Sequence, residues 1–420
     1  MDLLADLDAR GLIHDTTDRA ALREALDAGI TVYHGIDPTA DSLHTGNLIG
    51  LVMLRRFLDH GHRPIALAGG ATGMIGDPSG RSDERNLLAE EALRHNVQSI
   101  KTQIGRILGH GDWDLVDNYE WTKDVTLLGF LRDVGKHAPV TQMLGRESVK
   151  QRMTGDEGIS FTEFTYMLLQ AFDFQHLFDA RGCTMQVGGS DQWGNILSGV
   201  DLIRRTRGAA VHALSWPLLT AADGTKLGKT TGARIWLDAA KTSPYEFFQH
   251  WLRTEDAQVA QLLRWFTLLE LAEIDEIVSE HEREPARRHA QRALARAVTA
   301  MVHGHGEAAA ADDASARAFS GALGATELAA LEDSIPTTRL RVADLPMPLT
   351  VALSTTQLTS SKSEGVRLVK QGGVSMNQER VDDPDAEVRL ADAVDGRWIL
   401  LQKGKKDRHL LVLEEDPQSS

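Results

Sequence analysis

Two short segments of this chain carry side chains suited to phosphate chemistry. The first is Asp37-Pro38-Thr39-Ala40-Asp41-Ser42-Leu43-His44-Thr45-Gly46-Asn47; the second is Asp223-Gly224-Thr225-Lys226-Leu227-Gly228-Lys229-Thr230. Between them they set histidine, lysine and threonine beside open backbone amides in glycine-containing turns. Such turns suit anions, and a helix starting just after one adds its positive dipole end. A third feature is a polar stripe on an apolar stretch. Tyr166, Gln170 and Asp173 fall at i, i+4 and i+7, on one helical face, among Phe164, Met167, Leu168, Leu169, Phe172 and Phe174. A carboxylate on so apolar a helix needs hydrogen-bond partners. It serves either a structural network or a polar ligand. Tyr33, on the strand before the first segment, tilts the reading toward a ligand pocket at the sheet's end.

The elements that position these groups show in the periodicity. Thr31-Val32-Tyr33-His34-Gly35-Ile36 reads as a strand. Residues 46–60 place Leu48, Leu51, Val52, Leu54 and Leu58 at near-helical spacing before the stop at Gly61, and Pro64-Ile65-Ala66-Leu67-Ala68 is a second strand. Strand, crossover helix and strand predict a parallel sheet with ligands at the strands' carboxyl ends. Residues 160–178 are predicted helical, with Ser160 and Glu163 at capping-box spacing. Met185-Gln186-Val187 is a short strand running into Gly188-Gly189-Ser190-Asp191. Residues 245–330 are rich in Ala, Leu, Arg and Glu and read as helical; Pro336 and Pro346 mark a linker. Beyond it Ser361 and Glu364 open a short helix that stops at Gly372-Gly373. Two strands follow, then the turn Lys403-Gly404-Lys405-Lys406 and a last strand over 410–413.

Composition limits the function classes. Among 420 residues, acidic groups exceed basic ones to give a formal net charge of -15, so RNA contact must come from local basic patches. The one cysteine, Cys183, excludes an intramolecular disulfide framework. No apolar run approaches a membrane span. The opening Met1-Asp2-Leu3-Leu4-Ala5-Asp6 lacks the basic stretch of a secretory leader, and a cytoplasmic protein is expected. No Cys/His cluster has zinc spacing.

In this order, the two phosphate segments resemble the nucleotide signatures of class I aminoacyl-tRNA synthetases. Residues 31 to about 235 are similar to the catalytic domain of the bacterial tyrosyl-tRNA synthetases nearly throughout. The resemblance implies an α/β fold: a Rossmann-like catalytic domain over 1–235, an α-helical anticodon-arm domain over 236–330, a linker over 331–347, and a small α+β RNA-binding module over 348–415. It implies that Tyr33 and Asp173 hydrogen-bond a substrate phenol, and that Tyr166, Gln170 and Asp77 hold its ammonium group, with Gln186 in the same site. Gly35, Asp37, Asn47, Gly189, Asp191, Gln192 and Lys229 would bind ATP, with Asp191 at the ribose. Thr39, His44, Lys226, Lys229 and Thr230 would stabilise the leaving pyrophosphate, joined by Arg81 and Arg85 of the loop from Asp77. ATP enters as a substrate with Mg²⁺ held by phosphates and water, and no protein-bound metal is implied. The expected reaction joins L-tyrosine to ATP as tyrosyl-adenylate, then transfers it to the 3′ end of tRNA(Tyr). A homodimer is implied.

The segment from about 350 to 415 resembles a small RNA-binding module shared with a ribosomal small-subunit protein and some pseudouridine synthases. Lys362, Arg367, Lys370, Lys403, Lys405, Lys406 and Arg408 would form its basic face. Some residues depart from the family pattern. Asn47 stands where a second histidine is usual, Arg81 and Ser82 stand where basic residues are common, and Leu227 replaces an aromatic residue. Asn47 also occurs in the tryptophanyl relatives, which leaves that activity as a rival; Tyr33 with Asp173 counts against it. An adenylyltransferase of another kind would not need an RNA-binding module. A non-catalytic RNA-binding paralogue would not need His44, Asp191, Lys226 and Lys229 together.

Overall fold

The computed structural model describes residues 2–77, 90–146, 149–150, 153, 158–218, 234–317, 324–332, 335–404 and 407–414. These divide into two compact units, Met1–Asp238 with Asp256–Ala290, and Ala239–Glu255 with Gln291–Ser420.

The first unit is built on a six-stranded sheet of order β1-β6-β5-β2-β3-β4. Its strands are β1 (Asp15–Thr16), β2 (Thr31–Ile36), β3 (Arg63–Ala68), β4 (Asp114–Asp117), β5 (Cys183–Gly189) and β6 (His212–Trp216). All neighbours run parallel except β1, which pairs antiparallel with β6 at one edge. The helices are α1 (Leu3–Ala9), α2 (Arg19–Ala28), α3 (Thr45–Asp59), α4 (Glu90–Leu108), α5 (Tyr119–Thr122), α6 (Leu127–Asp133), α7 (Val140–Leu144), α8 (Phe161–Arg181), α9 (Trp193–Arg207), α10 (Asp256–Phe266) and α11 (Leu271–Arg283). The chain winds outward from β2 through β3 to β4, then returns to β5 on the other side of β2. This reversal is a topological switch point, where doubly wound sheets open a crevice at their carboxyl ends.

The predicted βαβ unit is present. Helix α3 begins one residue earlier than its apolar spacing suggests, because His44 caps it. Buried leucines, Val52, Met53 and Phe57 cover its inner face. Helix α8 carries the predicted capping box: Ser160 Oγ accepts from Glu163 N at 3.2 Å, and the Glu163 carboxylate accepts from Ser160 N at 3.3 Å. The helix runs on to Arg181 because its apolar spacing continues through Phe174 and Leu177. It packs against β5 and α9 around a core that includes Phe174, Leu177, Cys183 and Ile203. A buried charge cluster ties α1, α3 and α10 together. Arg10 grips Asp6 at 2.8 Å and donates to Leu269 O at 2.8 Å, while Arg56 donates to the carbonyls of Arg264 and Thr267. Two guanidiniums thus satisfy carbonyls at the C-terminal end of α10, where a helix leaves acceptors unpaired.

The second unit contains helices at Pro244–Leu252, His289–His303, His305–Arg317 and Ala325–Leu331, and a five-stranded sheet. The sheet is β10 (Glu379–Val381), β9 (Val374–Met376), β12 (Trp398–Lys403), β13 (Asp407–Glu414) and β7 (Thr337–Arg341), in that order; a separate pair joins β8 (Met347–Pro348) to β11 (Glu387–Val388). Helices at Leu349–Thr355 and Lys362–Lys370 pack on it over Leu353, Val369, Ile399, Leu401 and Leu411. The stretch 331–347 is more than the expected linker, because β7 lies within it, parallel to β13. Polar and half-buried edge residues gave β7 no apolar run to signal it. Ser361 caps the Lys362 helix as predicted, but the Glu364 carboxylate turns to Ser360, accepting from its N and Oγ at 2.7 Å each.

Ser160→Ala removes the α8 cap and frees Glu163. We expect a loss of about 1 kcal/mol, read as a lower urea midpoint with an unchanged slope.

Candidate active site

At the switch point the ends of β2 and β5, the N-terminus of α3 and one face of α8 enclose a cleft of about 1440 Å³ including its open mouth. Every site candidate on these elements lines it. Tyr33, Asp77, Tyr166, Gln170, Asp173 and Gln186 do so, as do Gly35, Asp37, Thr39, His44, Asn47, Gly189, Asp191 and Gln192. Arg81, Arg85, Lys226, Lys229 and Thr230 lie outside the described residues, as do Lys405 and Lys406.

Strand period decides which side each β2 residue serves. Tyr33 faces α8, its ring 5.4 Å from that of Phe174, and pairs in register with Gln186 of β5. Tyr33 is 1% exposed and Gln186 2%. Yet the Tyr33 hydroxyl and the Gln186 Oε1 have no hydrogen-bond partner among the described residues. Two orphaned polar atoms this deep are costly unless a ligand satisfies them. Burial raises the Tyr33 pKa, and the Asp173 carboxylate adds to the effect.

Asp173 is 3% exposed, and burial pushes its pKa up to about 7. Hydrogen bonds from Asn118 Nδ2 and Trp121 Nε1, both 2.9 Å, pull the other way. The sequence reading missed both donors; they follow the end of β4, and no spacing links them to α8. Asn118 continues the network. It donates to Thr72 Oγ1 at 3.1 Å and accepts from Ala71 N at 2.7 Å, while Thr72 Oγ1 donates to Asp37 Oδ1 at 3.0 Å. The Tyr166 hydroxyl donates to the other Asp37 oxygen at 3.1 Å. Gln192 Nε2 donates to Asp77 Oδ2 at 2.6 Å. The stripe on α8 is therefore part of a structural network and also lines the cleft.

His34 points to the opposite face of the sheet. Its Nδ1 lies 3.2 Å from Val187 O, which makes Nδ1 the donor and Nε2 an acceptor. Burial lowers its pKa to about 4, so the ring is neutral at pH 7. The ring stands in space that Gly50 leaves open: a Cβ there would come within 2.2 Å of Nε2. At the mouth, His44 Nδ1 accepts from Gly46 N at 3.0 Å, leaving Nε2–H as a donor toward the cleft. Gly46 permits this approach, since a Cβ would lie 2.7 Å from the His44 ring. Asn47 Oδ1 accepts from His44 N at 3.1 Å, which completes a capping box. Burial first, and then the charge of Arg234, lower the His44 pKa to about 4. Among the described residues no cluster of three or more His, Cys, Asp or Glu could hold a metal ion.

In the second unit Lys362, Arg367 and Lys370 are exposed on one helix. Arg408 is not part of that face. It is 7% exposed and hydrogen-bonded to Tyr245, because β13 turns it into the unit's interior. Lys403 is paired with Glu364 at 3.1 Å.

A parallel sheet with its cleft at the switch point and a capped helix N-terminus on one rim is the framework of a nucleotide-binding α/β domain. The family described as tRNA synthetases class I (W and Y) matches residues 26–320, and the chain belongs to it. Residues 327–411 match the tyrosine–tRNA ligase SYY-like C-terminal domain. Curated relatives include the tyrosine–tRNA ligase of Opitutus terrae, 48% identical over 97% of this chain and 98% of that one, and that of Roseiflexus castenholzii, 46% identical over 98% and 99%. A solved structure, the C-terminally truncated mitochondrial tyrosyl-tRNA synthetase of Aspergillus nidulans, aligns with TM-score 0.69 at 34% identity, over 76% of this chain and 94% of that one. Within the family the chain thus stands with the tyrosine–tRNA ligases.

The raised pKa of Asp173 has a sign. Between its ordinary 3.8 and about 7 the folded protein holds a proton that the unfolded chain releases, so this group's burial costs stability increasingly as pH rises through that window. Asn118→Ala removes a donor to the carboxylate and raises that pKa further. Tyrosine binding that uses the carboxylate as acceptor should strengthen from pH 6 to 8 in the wild type. In the variant the midpoint should move up and affinity at pH 7 should fall on the order of tenfold. Equilibrium dialysis across that range checks both.

Proposed function

We propose that the cleft binds L-tyrosine at its α8 end and ATP along β2, β5 and the α3 N-terminus. The activity is that of a tyrosine–tRNA ligase. A tyrosine carboxylate oxygen attacks the α-phosphorus of ATP, the bond to the bridging oxygen breaks, and pyrophosphate leaves. The 3′-terminal hydroxyl of tRNA(Tyr) then attacks the adenylate's carbonyl carbon and AMP departs. The carboxylate is already ionised, so the first step needs positioning and charge stabilisation and no general base.

The observation that carries the substrate assignment is the orphaned Tyr33 hydroxyl beside a buried, twice-held Asp173. A phenol OH donates to the carboxylate and accepts from Tyr33, which satisfies both. Indole cannot accept, and phenylalanine leaves the Tyr33 hydroxyl unpaired and brings Asp173 no further donor. In this reading Gln170, Asp77, Tyr166 and Gln186 surround the amino acid's polar end. Gly35, Asp37, Asn47, Gly189, Asp191 and Gln192 follow the nucleotide. Thr39 and His44 meet the departing phosphates, with Lys226, Lys229, Thr230, Arg81 and Arg85 completing the charge. Mg²⁺ comes with ATP, held by its phosphates and water.

Domain roles extend the reading. The helices within 236–330 serve the anticodon arm, and Lys362, Arg367 and Lys370 give the C-terminal module a phosphate-binding face with steep salt dependence. A homodimer is supported by the apolar surface of α6, α7 and the start of α8. Leu127, Leu128, Val140 and Phe161 are 71%, 78%, 58% and 75% exposed there, and large apolar side chains gathered on a surface mark interaction sites. The described residues include no helix long and apolar enough to cross a membrane, and a cytoplasmic place suits a partner of tRNA.

Amino-acid-dependent ATP–pyrophosphate exchange tests the reading. Exchange is expected with tyrosine and not with tryptophan or phenylalanine, and it should vanish in Asp173→Ala. Exchange driven by tryptophan would overturn the substrate assignment. Leu128→Glu should shift the protein from dimer to monomer mass in sedimentation.

A further inference from the structure

The imidazole of His44 is neutral, and the N-terminus of α3 offers only partial charge. Among the described residues the charged side chains that line the cleft are the carboxylates of Asp37, Asp77 and Asp191, with Asp173 held close to its midpoint. A leaving pyrophosphate carries several negative charges, so a further cation at this rim would serve it beside Lys226, Lys229, Arg81 and Arg85.

Arg234 lies beside that rim, outside the residues that line the cleft. The chain just after it is stitched to the first phosphate segment. Thr45 N donates to Ile235 O at 3.1 Å, Leu237 N to Leu43 O at 2.8 Å, and Asp238 N to Ser42 Oγ at 3.2 Å. His44 and Trp236 face each other in an antiparallel bridge, with their rings edge-on at 6.3 Å. The Arg234 guanidinium lies over the Trp236 indole, 5.0 Å from its centroid. The side chain is exposed, and no ion pair engages it among the described residues. A guanidinium laid on an indole keeps its plane fixed and its N–H edge free, the arrangement suited to two parallel hydrogen bonds to a phosphate. The charge already reaches the site, since it contributes to keeping His44 unprotonated.

We propose that Arg234, held on Trp236, is a further substrate-contacting residue of the activation step. It donates to a terminal phosphate oxygen of ATP and stabilises the charge that grows on pyrophosphate as the bond to the α-phosphorus breaks. His44 supplies the neutral donor beside it. The proposal rests on the reading of this rim as the ATP phosphate site. An unpaired surface arginine would ordinarily be a solvated group. Here the platform and the three-point backbone seam fix it within reach of the histidine of the phosphate segment, at a helix N-terminus that itself favours anions.

The test uses the full-length enzyme in tyrosine-dependent ATP–pyrophosphate exchange, with tyrosine binding measured separately by equilibrium dialysis. Arg234→Ala should lower kcat/KM for ATP on the order of ten- to hundredfold, with tyrosine affinity unchanged. Arg234→Lys should recover part of the loss. Trp236→Leu should act in the same direction more weakly, and the double variant should be no worse than Arg234→Ala, because one residue acts through the other. ATP parameters of Arg234→Ala within about twofold of wild type would overturn the proposal. A matching fall in tyrosine affinity and melting temperature would also overturn it, by making the role structural. Absence of exchange in the wild type would instead defeat the reading of the cleft as an ATP site.

Discussion

A carboxylate buried on an apolar helix is the constraint to which the active unit answers. Asp173 cannot stay ionised at neutral pH without donors, and its helix supplies none. The donors come from the end of β4, as Asn118 and Trp121. The network then passes through Thr72 to Asp37, and from Asp37 back to α8 through Tyr166. One electrostatic requirement thus links four segments far apart in sequence: the end of β4, the turn at Thr72, the end of β2 and helix α8. The penalty for burial is only partly offset, which leaves the carboxyl near neutrality and receptive to one more donor.

The second organising fact is the two-residue period of β2. Tyr33 and His34 are neighbours in sequence and serve opposite faces of the sheet. Tyr33 meets Phe174 and the α8 side, and His34 meets Gly50 and the α3 side. Two walls of the cleft are therefore lined from consecutive residues, and a one-residue slip of this strand would exchange them. Its flanking partners β3 and β5, parallel on both sides, make such a slip costly.

Much of this was legible in the sequence, for physical reasons. The βαβ unit, the α8 capping box and the Lys362 helix announce themselves through local periodicity and caps. The polar stripe on α8 is visible because helical spacing collects it on one face. What was not legible depends on distant elements meeting. Asn118 and Trp121 look like ordinary polar and aromatic residues after a strand until the sheet brings them under Asp173. Arg408 read as part of a basic surface because its neighbours are lysines, yet β13 turns it inward. β7 escaped notice because an edge strand with half-exposed residues has no apolar run. The sequence also hides the capping role of His44 and Asn47. Each looks like a phosphate ligand, and each is also half of a helix cap.

The parallel pairing of β7 with β13 has a practical consequence for dissecting the chain. The C-terminal sheet closes with a strand drawn from residues 337–341, ahead of the helix at Leu349 where the module otherwise begins. A fragment cut at the apparent start of the module would leave one side of β13, from Leu410 to Glu414, without its partner. A bare strand edge of that kind recruits other chains. A fragment that begins before Thr337 keeps the edge covered, so the covalent boundary of the module lies upstream of its compositional one.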